Sequence, residues 1–81
     1  MSQAPTPAHV RALIATVTRR DAASIGDQDR LADLGMDSLD RVLMAVLVEE
    51  RYGRTLSDEA LTSIRTVADL HEHLQPEGDR Q

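Results

Sequence analysis

One segment constrains the fold of this chain more than any other. It comprises residues 34–53, LGMDSLDRVLMAVLVEERYG, and contains two apolar stripes at helical spacing. Gly35 supplies a turn signal and Asp37 a capping residue at its start. Gly53 is the residue type that most often ends a helix in the left-handed conformation. The pattern therefore predicts a central helix of about four turns, at 3.6 residues per turn.

The two stripes of this helix lie roughly opposite each other, because successive residues turn by about 100°. The stripe that we expect to face the core consists of Met44, Ala45, Val48 and Tyr52. The other, here called the apolar stripe, consists of Leu39, Val42, Leu43 and Val46. A surface helix needs only one apolar face. The apolar stripe is therefore either a docking surface or part of a fully buried central helix, and periodicity alone does not distinguish the two.

A first helix is predicted before this segment. Thr6 can cap it, and Pro7 then occupies the first helical position, where a missing N–H costs nothing. Its core-facing stripe consists of Val10, Leu13, Ile14 and Val17. Arg19 and Arg20 are expected in its last turn, where cations complement the helix dipole.

Two further helices are predicted after the central one. Ser57 is a capping signal for a short helix over residues 59–63. Thr66 and Asp69 form a second capping pattern. The stripe that follows consists of Val67, Leu70, His71 and Leu74. Pro76 should end this last helix.

The connection before the central helix, residues 21–36, is sixteen residues long. Four apolar residues can attach it to the core: Ile25, Leu31, Leu34 and Met36. No segment shows the alternation of a strand. We predict an all-α fold, a small bundle of three longer helices and one short helix. It should form a single domain over residues 1–81, with flexible tails at 1–5 and 76–81.

The composition excludes several classes of function. The chain has no cysteine, so it can form neither a disulfide nor a zinc–thiolate site. A net charge of −5 and a single aromatic residue argue against nucleic-acid binding and favour basic partners. No apolar run approaches the ~20 residues of a membrane span, and residues 1–10 lack the features of a signal peptide. We expect a cytoplasmic monomer without metal, nucleic-acid or membrane partners.

The sequence LGMDSLDRV resembles the phosphopantetheine attachment motif of acyl carrier proteins, whose core is Asp-Ser-Leu at the start of the second helix. The similarity covers roughly residues 31–74, and residues 6–20 also fit the first helix of that family. Its specificity comes from DSLD after LG, followed by an apolar helix that ends in EERYG. The resemblance implies that the Ser38 hydroxyl accepts a 4'-phosphopantetheine arm derived from coenzyme A.

Helix capping explains only part of this motif. Asp37 and Asp40 can form a capping box, but capping does not require a serine at position 38. A catalytic role for Ser38 would need a base and an oxyanion hole, and no G-x-S-x-G turn surrounds it. We therefore expect a carrier and not an enzyme.

The resemblance also implies a set of partners. A phosphopantetheinyl transferase would modify Ser38, and an acyltransferase, a ketosynthase or another acyl- or aminoacyl-loading enzyme would use the thioester on its arm. The residues expected to bind these partners are Asp37, Leu39, Asp40, Val42, Leu43, Val46, Glu49 and Glu50. The acids among them would meet basic residues.

Three positions depart from the family pattern. Acyl carriers of primary metabolism commonly have an acid where this chain has Leu43, and another where it has Arg51. The position of Arg41 is usually small and polar. We interpret the more apolar helix as that of a dedicated carrier of polyketide or other secondary metabolism. The alternatives are a discrete aminoacyl or peptidyl carrier, and an unmodified helical adaptor that binds through the apolar stripe.

Overall fold

The computed structural model describes residues 5–75, and within this range it contains four α-helices and no strand. In chain order the helices are α1 (Pro7–Thr18), α2 (Ser38–Tyr52), α3 (Asp58–Ser63) and α4 (Val67–His73). The connection between α1 and α2 adds two 3₁₀ turns, Ala22–Ser24 and Ala32–Leu34. The predicted bundle of three longer helices and one short helix is confirmed.

Each helix begins at a residue whose side chain caps it, as the sequence predicts. The Thr6 hydroxyl accepts a hydrogen bond from the His9 N–H at 3.1 Å. His9 Nδ1 in turn accepts from the Thr6 N–H at 3.3 Å, a partner that the sequence analysis did not identify. The Ser57 hydroxyl caps α3, and Thr66 with Asp69 forms a complete capping box on α4. These caps satisfy N–H groups that have no partner within the helix.

The carboxylate of Asp69 fixes the start of α4. Hydrogen bonds to it from the N–H groups of Arg65 at 3.0 Å and Thr66 at 3.1 Å, the former having the larger effect, lower the pKa of Asp69 below its ordinary value of 3.8. A lowered pKa means that this interaction contributes stability above the ordinary value and loses it as the pH falls through the lower folded one. The anchor of α4 is therefore intact at neutral pH.

The end of α1 differs from the prediction. The helix stops at Thr18, and Arg19 is its C-cap, in the left-handed conformation with φ 61°. Arg20 consequently lies beyond the helix, and its Nε donates to the carbonyl of Leu34 at 2.9 Å. The placement of both arginines in the last turn was wrong: Arg19 is the C-cap, and the side chain of Arg20 makes a tertiary contact while its N–H donates to the Ala15 carbonyl at 3.0 Å.

The core lies between α1 and the helices α2 and α4, both of which pack against it. The stripe of α1 is buried throughout, and α2 contributes Met44 and Val48, both completely buried. Ala45 and Tyr52, expected on the same face, are half-buried. The connection also enters the core through all four residues predicted to attach it: Ile25, Leu31, Leu34 and Met36.

Residues 1–4 and 76–81 lie outside the described range, and with them the predicted C-terminal tail and the effect of Pro76. Of the predicted N-terminal tail, only Pro5 falls inside it, and this residue is buried. None of the helices in residues 5–75 is long and apolar enough to cross a membrane.

Candidate functional site

Ser38 is the first residue of α2 and is exposed to solvent. The capping box around it uses only its neighbours. Asp37 Oδ1 accepts from the Asp40 N–H at 2.9 Å, and Asp40 Oδ2 accepts from the Asp37 N–H at 3.3 Å. The hydroxyl of Ser38 is not needed to start the helix and remains available for chemistry.

The segment that leads into Ser38 is held by the core. Leu34 and Met36 are both buried, and the Met36 N–H donates to the Leu31 carbonyl at 3.1 Å. Gly35 between them has φ 86°, a left-handed backbone conformation that residues other than glycine rarely adopt. Because buried residues lie on both sides of this turn, the backbone that leads into Ser38 is held in a fixed position.

The apolar stripe of α2 is exposed. The exposed fractions are 79% for Leu39, 57% for Val42 and 43% for both Leu43 and Val46. Met44 and Val48 on the opposite face have exposed fractions of 0%. The alternative of a fully buried central helix is therefore excluded, and the assignment of the two faces is confirmed.

Acidic side chains border the apolar stripe at both ends. Asp37 and the half-buried Asp40 lie at its N-terminal end, next to Ser38. Glu49 and Glu50 are exposed and follow Val46 by three and four residues, so they continue the same side of the helix. The residues predicted to bind partners thus form one continuous surface along α2.

One residue near Ser38 has a contact that the sequence analysis missed. Arg41 is half-buried, and its Nη1 donates to the carbonyl oxygens of Leu61 at 2.7 Å and Ile64 at 3.0 Å. The departure at position 41 from the small polar residue usual in the family was the only signal of it. This contact joins α2 to the end of α3.

The histidine rings are engaged away from Ser38. The ring of His9 belongs to the cap of α1, Nε2 of His71 pairs with the Gln75 amide, and Nδ1 of His73 lies 3.1 Å from the Asp69 carbonyl. Among residues 5–75 there is no group of three or more His, Cys, Asp or Glu side chains that could hold a metal ion.

Residues 8–74 match the protein family described as phosphopantetheine attachment site. The chain is 42% identical over 55 residues to an acyl carrier protein of Coprothermobacter proteolyticus, an alignment that covers 68% of this chain and 67% of the relative. It is 39% identical over 62 residues to an acyl carrier protein of Onion yellows phytoplasma, covering 75% and 82%. With an acyl carrier protein of Treponema pallidum it shares 37% over 67 residues, covering 82% and 86%.

The family match runs from the second residue of α1 to the end of α4, and it includes the exposed serine, its acidic cap and the helix that follows. This family is defined by a covalently attached 4'-phosphopantetheine group, and the match over residues 8–74 therefore implies that group for this chain. The chain therefore belongs to the acyl carrier proteins, non-catalytic proteins that carry acyl groups on a covalently attached 4'-phosphopantetheine.

Proposed function

We propose that Ser38 is the residue to which 4'-phosphopantetheine is attached. The observation that carries this proposal is an exposed hydroxyl at the first position of α2, beside a capping box that is complete without it. A phosphodiester at this position would lie at the positive end of the helix dipole. When bound, the group supplies a thiol that holds acyl chains as thioesters.

The residues around Ser38 then have distinct tasks. Asp37 and Asp40 hold the start of α2, and the buried Leu34 and Met36 fix the turn before it. None of these side chains has to act on the cargo. The chain presents the arm, and its partner enzymes carry out the chemistry.

The partner surface in this proposal is the exposed side of α2. Leu39, Val42, Leu43 and Val46 form its apolar centre, and the rim consists of Asp37, Asp40, Glu49 and Glu50. A matching partner presents an apolar patch that is bordered by basic residues. A phosphopantetheinyl transferase would meet the end at Ser38, and enzymes that load or extend the acyl chain would cover more of the helix.

Leu43 supports a narrower version of this function. The family often has an acid there, whereas Leu43 widens the apolar centre, and the exposed Arg51 removes a further negative charge from the C-terminal end of α2. We infer a dedicated carrier with few partners, such as one of polyketide or other secondary metabolism. Partners of a general carrier would instead depend mainly on charge.

A mass spectrum of the intact protein tests the attachment residue. After incubation with coenzyme A and a broad-specificity transferase, the wild type should gain one phosphopantetheine and Ser38→Ala none. Ser63→Ala is the matched control, because Ser63 is also an exposed helical serine, and it should be modified like the wild type. Circular dichroism should show the same helical content in all three proteins.

Two results would overturn the assignment. One is a phosphopantetheine on the Ser38→Ala variant. The other is a wild-type protein that stays unmodified with several different transferases, which would favour the unmodified adaptor.

A further inference from the structure

The helix α3 has little to hold it in place. None of its six residues is buried, and only Ala60 and Leu61 are half-buried. A helix of this length is not stable on its own, so tertiary contacts must hold it. The first buried side chain after it is that of Ile64, its C-cap residue.

Arg41 supplies a strong contact at the end of α3. Its Nη1 donates to the carbonyl oxygens of Leu61, within the last turn, and of Ile64, just beyond it. Carbonyls at the end of a helix have no partner within the helix and carry the negative end of its dipole. A guanidinium is therefore well suited to this place, and here it belongs to a helix that is fixed by the buried Met44 and Val48.

The Arg41 contact with α3 lies close to Ser38, the residue proposed to carry the acyl arm. Arg41 follows Ser38 by three residues, a spacing that makes the two neighbours on the surface of α2. Met44 lies a further three residues along and is completely buried, as is Ile64. The half-buried Leu61 packs against the same core. An outward movement of α3 would therefore expose apolar side chains close to the attachment residue.

We propose that Arg41 is a positioning residue that holds α3 against α2 and limits how readily an apolar acyl chain enters between these helices. This inference rests on the proposed attachment at Ser38. A short acyl group has no need to enter, so the Arg41 contact does not affect it. A long apolar chain enters between α2 and α3 only when the hydrogen bonds from Arg41 to α3 are broken.

The chain offers a matched control in Arg54. Its Nη1 lies 3.3 Å from the Gln75 carbonyl and its Nη2 lies 3.3 Å from the His73 carbonyl, so it contacts the end of α4 in the same manner. However, α4 also buries Val67 and Leu70 in the core. Loss of the Arg54 contact should therefore leave α3 unaffected.

Hydrogen exchange of the unmodified protein tests the first half of the proposal. In Arg41→Ser, the amides of Leu61 and Ile64 should exchange about tenfold faster or more, the effect of losing charged hydrogen bonds on a local opening. Arg41→Lys should lie between this variant and the wild type, because an ammonium group keeps the charge and the donors but is more strongly hydrated than a guanidinium. The amides of Leu13 and Ile14 in α1 should be unchanged, and Arg54→Ser should not affect α3.

Two exchange results would overturn the proposal. In one, the α3 amides of Arg41→Ser exchange as in the wild type. In the other, exchange accelerates equally in α1 and α3, which would assign Arg41 to overall stability. This assay needs no phosphopantetheine, so it decides whether Arg41 holds α3 even if Ser38 accepts no arm.

The second half is tested with acyl groups of two lengths. A broad-specificity phosphopantetheinyl transferase attaches acetyl or ¹³C-labelled octanoyl arms to Ser38 from the corresponding acyl coenzyme A. NMR then measures contacts from the octanoyl group to the methyl groups of Leu61 and Ile64. The octanoyl contacts should be stronger in Arg41→Ser than in the wild type, while the acetyl forms should not differ. Equal octanoyl contacts in both proteins would refute a limit set by Arg41.

Discussion

The two faces of α2 contain similar aliphatic residues but have opposite environments. Met44 and Val48 are completely buried, whereas Leu39 on the other side is 79% exposed. Only the face with Met44 and Val48 joins the core, where α1 packs against α2 and α4. The comparison shows that apolar character at helical spacing does not by itself determine burial. A second apolar face that the core does not use needs a reason outside the stability of the domain.

The exposed face of α2 is also bordered by charges that oppose self-association. Its apolar side chains are bordered by Asp40, Glu49 and Glu50, and the chain as a whole has a net charge of −5. Like charges on neighbouring molecules oppose association through the stripe. In the proposed docking the same acids would favour a partner with basic residues, so one arrangement would serve both purposes.

Two valines of α2 should differ strongly in what they contribute to stability. Val48 is completely buried and Val46 is 43% exposed. Val48→Ala leaves a void in the core and should lower the free energy of unfolding by about 1–3 kcal/mol. Val46→Ala removes the same atoms from a surface and should cost less than about 0.5 kcal/mol. Urea unfolding of both variants, followed by circular dichroism, measures the difference.

Two outcomes of these variants would contradict the assignment of the faces. A loss below about 0.5 kcal/mol for Val48→Ala would mean that the core does not depend on this face. A large loss for Val46→Ala would mean that the stripe is covered in solution. The second result would favour a self-associated form, which a concentration series of the unfolding curve would detect.

Much of the fold could be predicted because its signals are local. The caps at Thr6, Asp37, Ser57 and Thr66 were each visible as a capping residue before an apolar pattern. The two faces of α2 followed from the helical period. Both kinds of signal depend on residues within one or two turns, which a single sequence displays directly.

Apart from the local pairing of His9 with Thr6, the missed side-chain contacts join distant parts of the chain. Nitrogens of Arg20, Arg41 and Arg54 donate to main-chain carbonyls that lie 14 to 23 residues away. Every residue has a main-chain carbonyl, so no residue type or pattern in the sequence identifies the one that accepts the hydrogen bond. From the sequence alone, each of these arginines is equally compatible with a solvated charge on the surface. Only the packing of the helices shows which carbonyls come within reach.

A change at the centre of the apolar stripe tests whether this face binds partners. Leu43 is 43% exposed, so Leu43→Glu should leave the free energy of unfolding within about 0.5 kcal/mol of the wild type. Acyl transfer by the protein's own partner enzymes should fall by about tenfold, because a charge is introduced into the apolar centre of the interface. Modification by a transferase, which would contact mainly Asp37, Ser38 and Leu39, should change less.

Two outcomes of this variant would contradict the proposed docking surface. A folding defect would show that Leu43 is covered in the folded protein. Transfer at the wild-type rate would show that the exposed stripe has no part in partner binding. In either case the difference between the two faces of α2 would need another explanation.

The smallest effect concerns the acids at the rim, which should influence association more than the lifetime of the complex. Glu50 is exposed and continues the side of the apolar stripe, whereas Glu72 is an exposed glutamate on α4. Glu50→Gln should slow association with a cognate partner a few-fold at low salt, and the difference should shrink at high salt because screening weakens the attraction. Glu72→Gln changes the net charge by the same amount and should have less effect. Stopped-flow binding at several salt concentrations measures both variants. Equal slowing would mean that the partner responds to the overall charge of the protein, and the apolar stripe would then guide docking without a charged rim of its own.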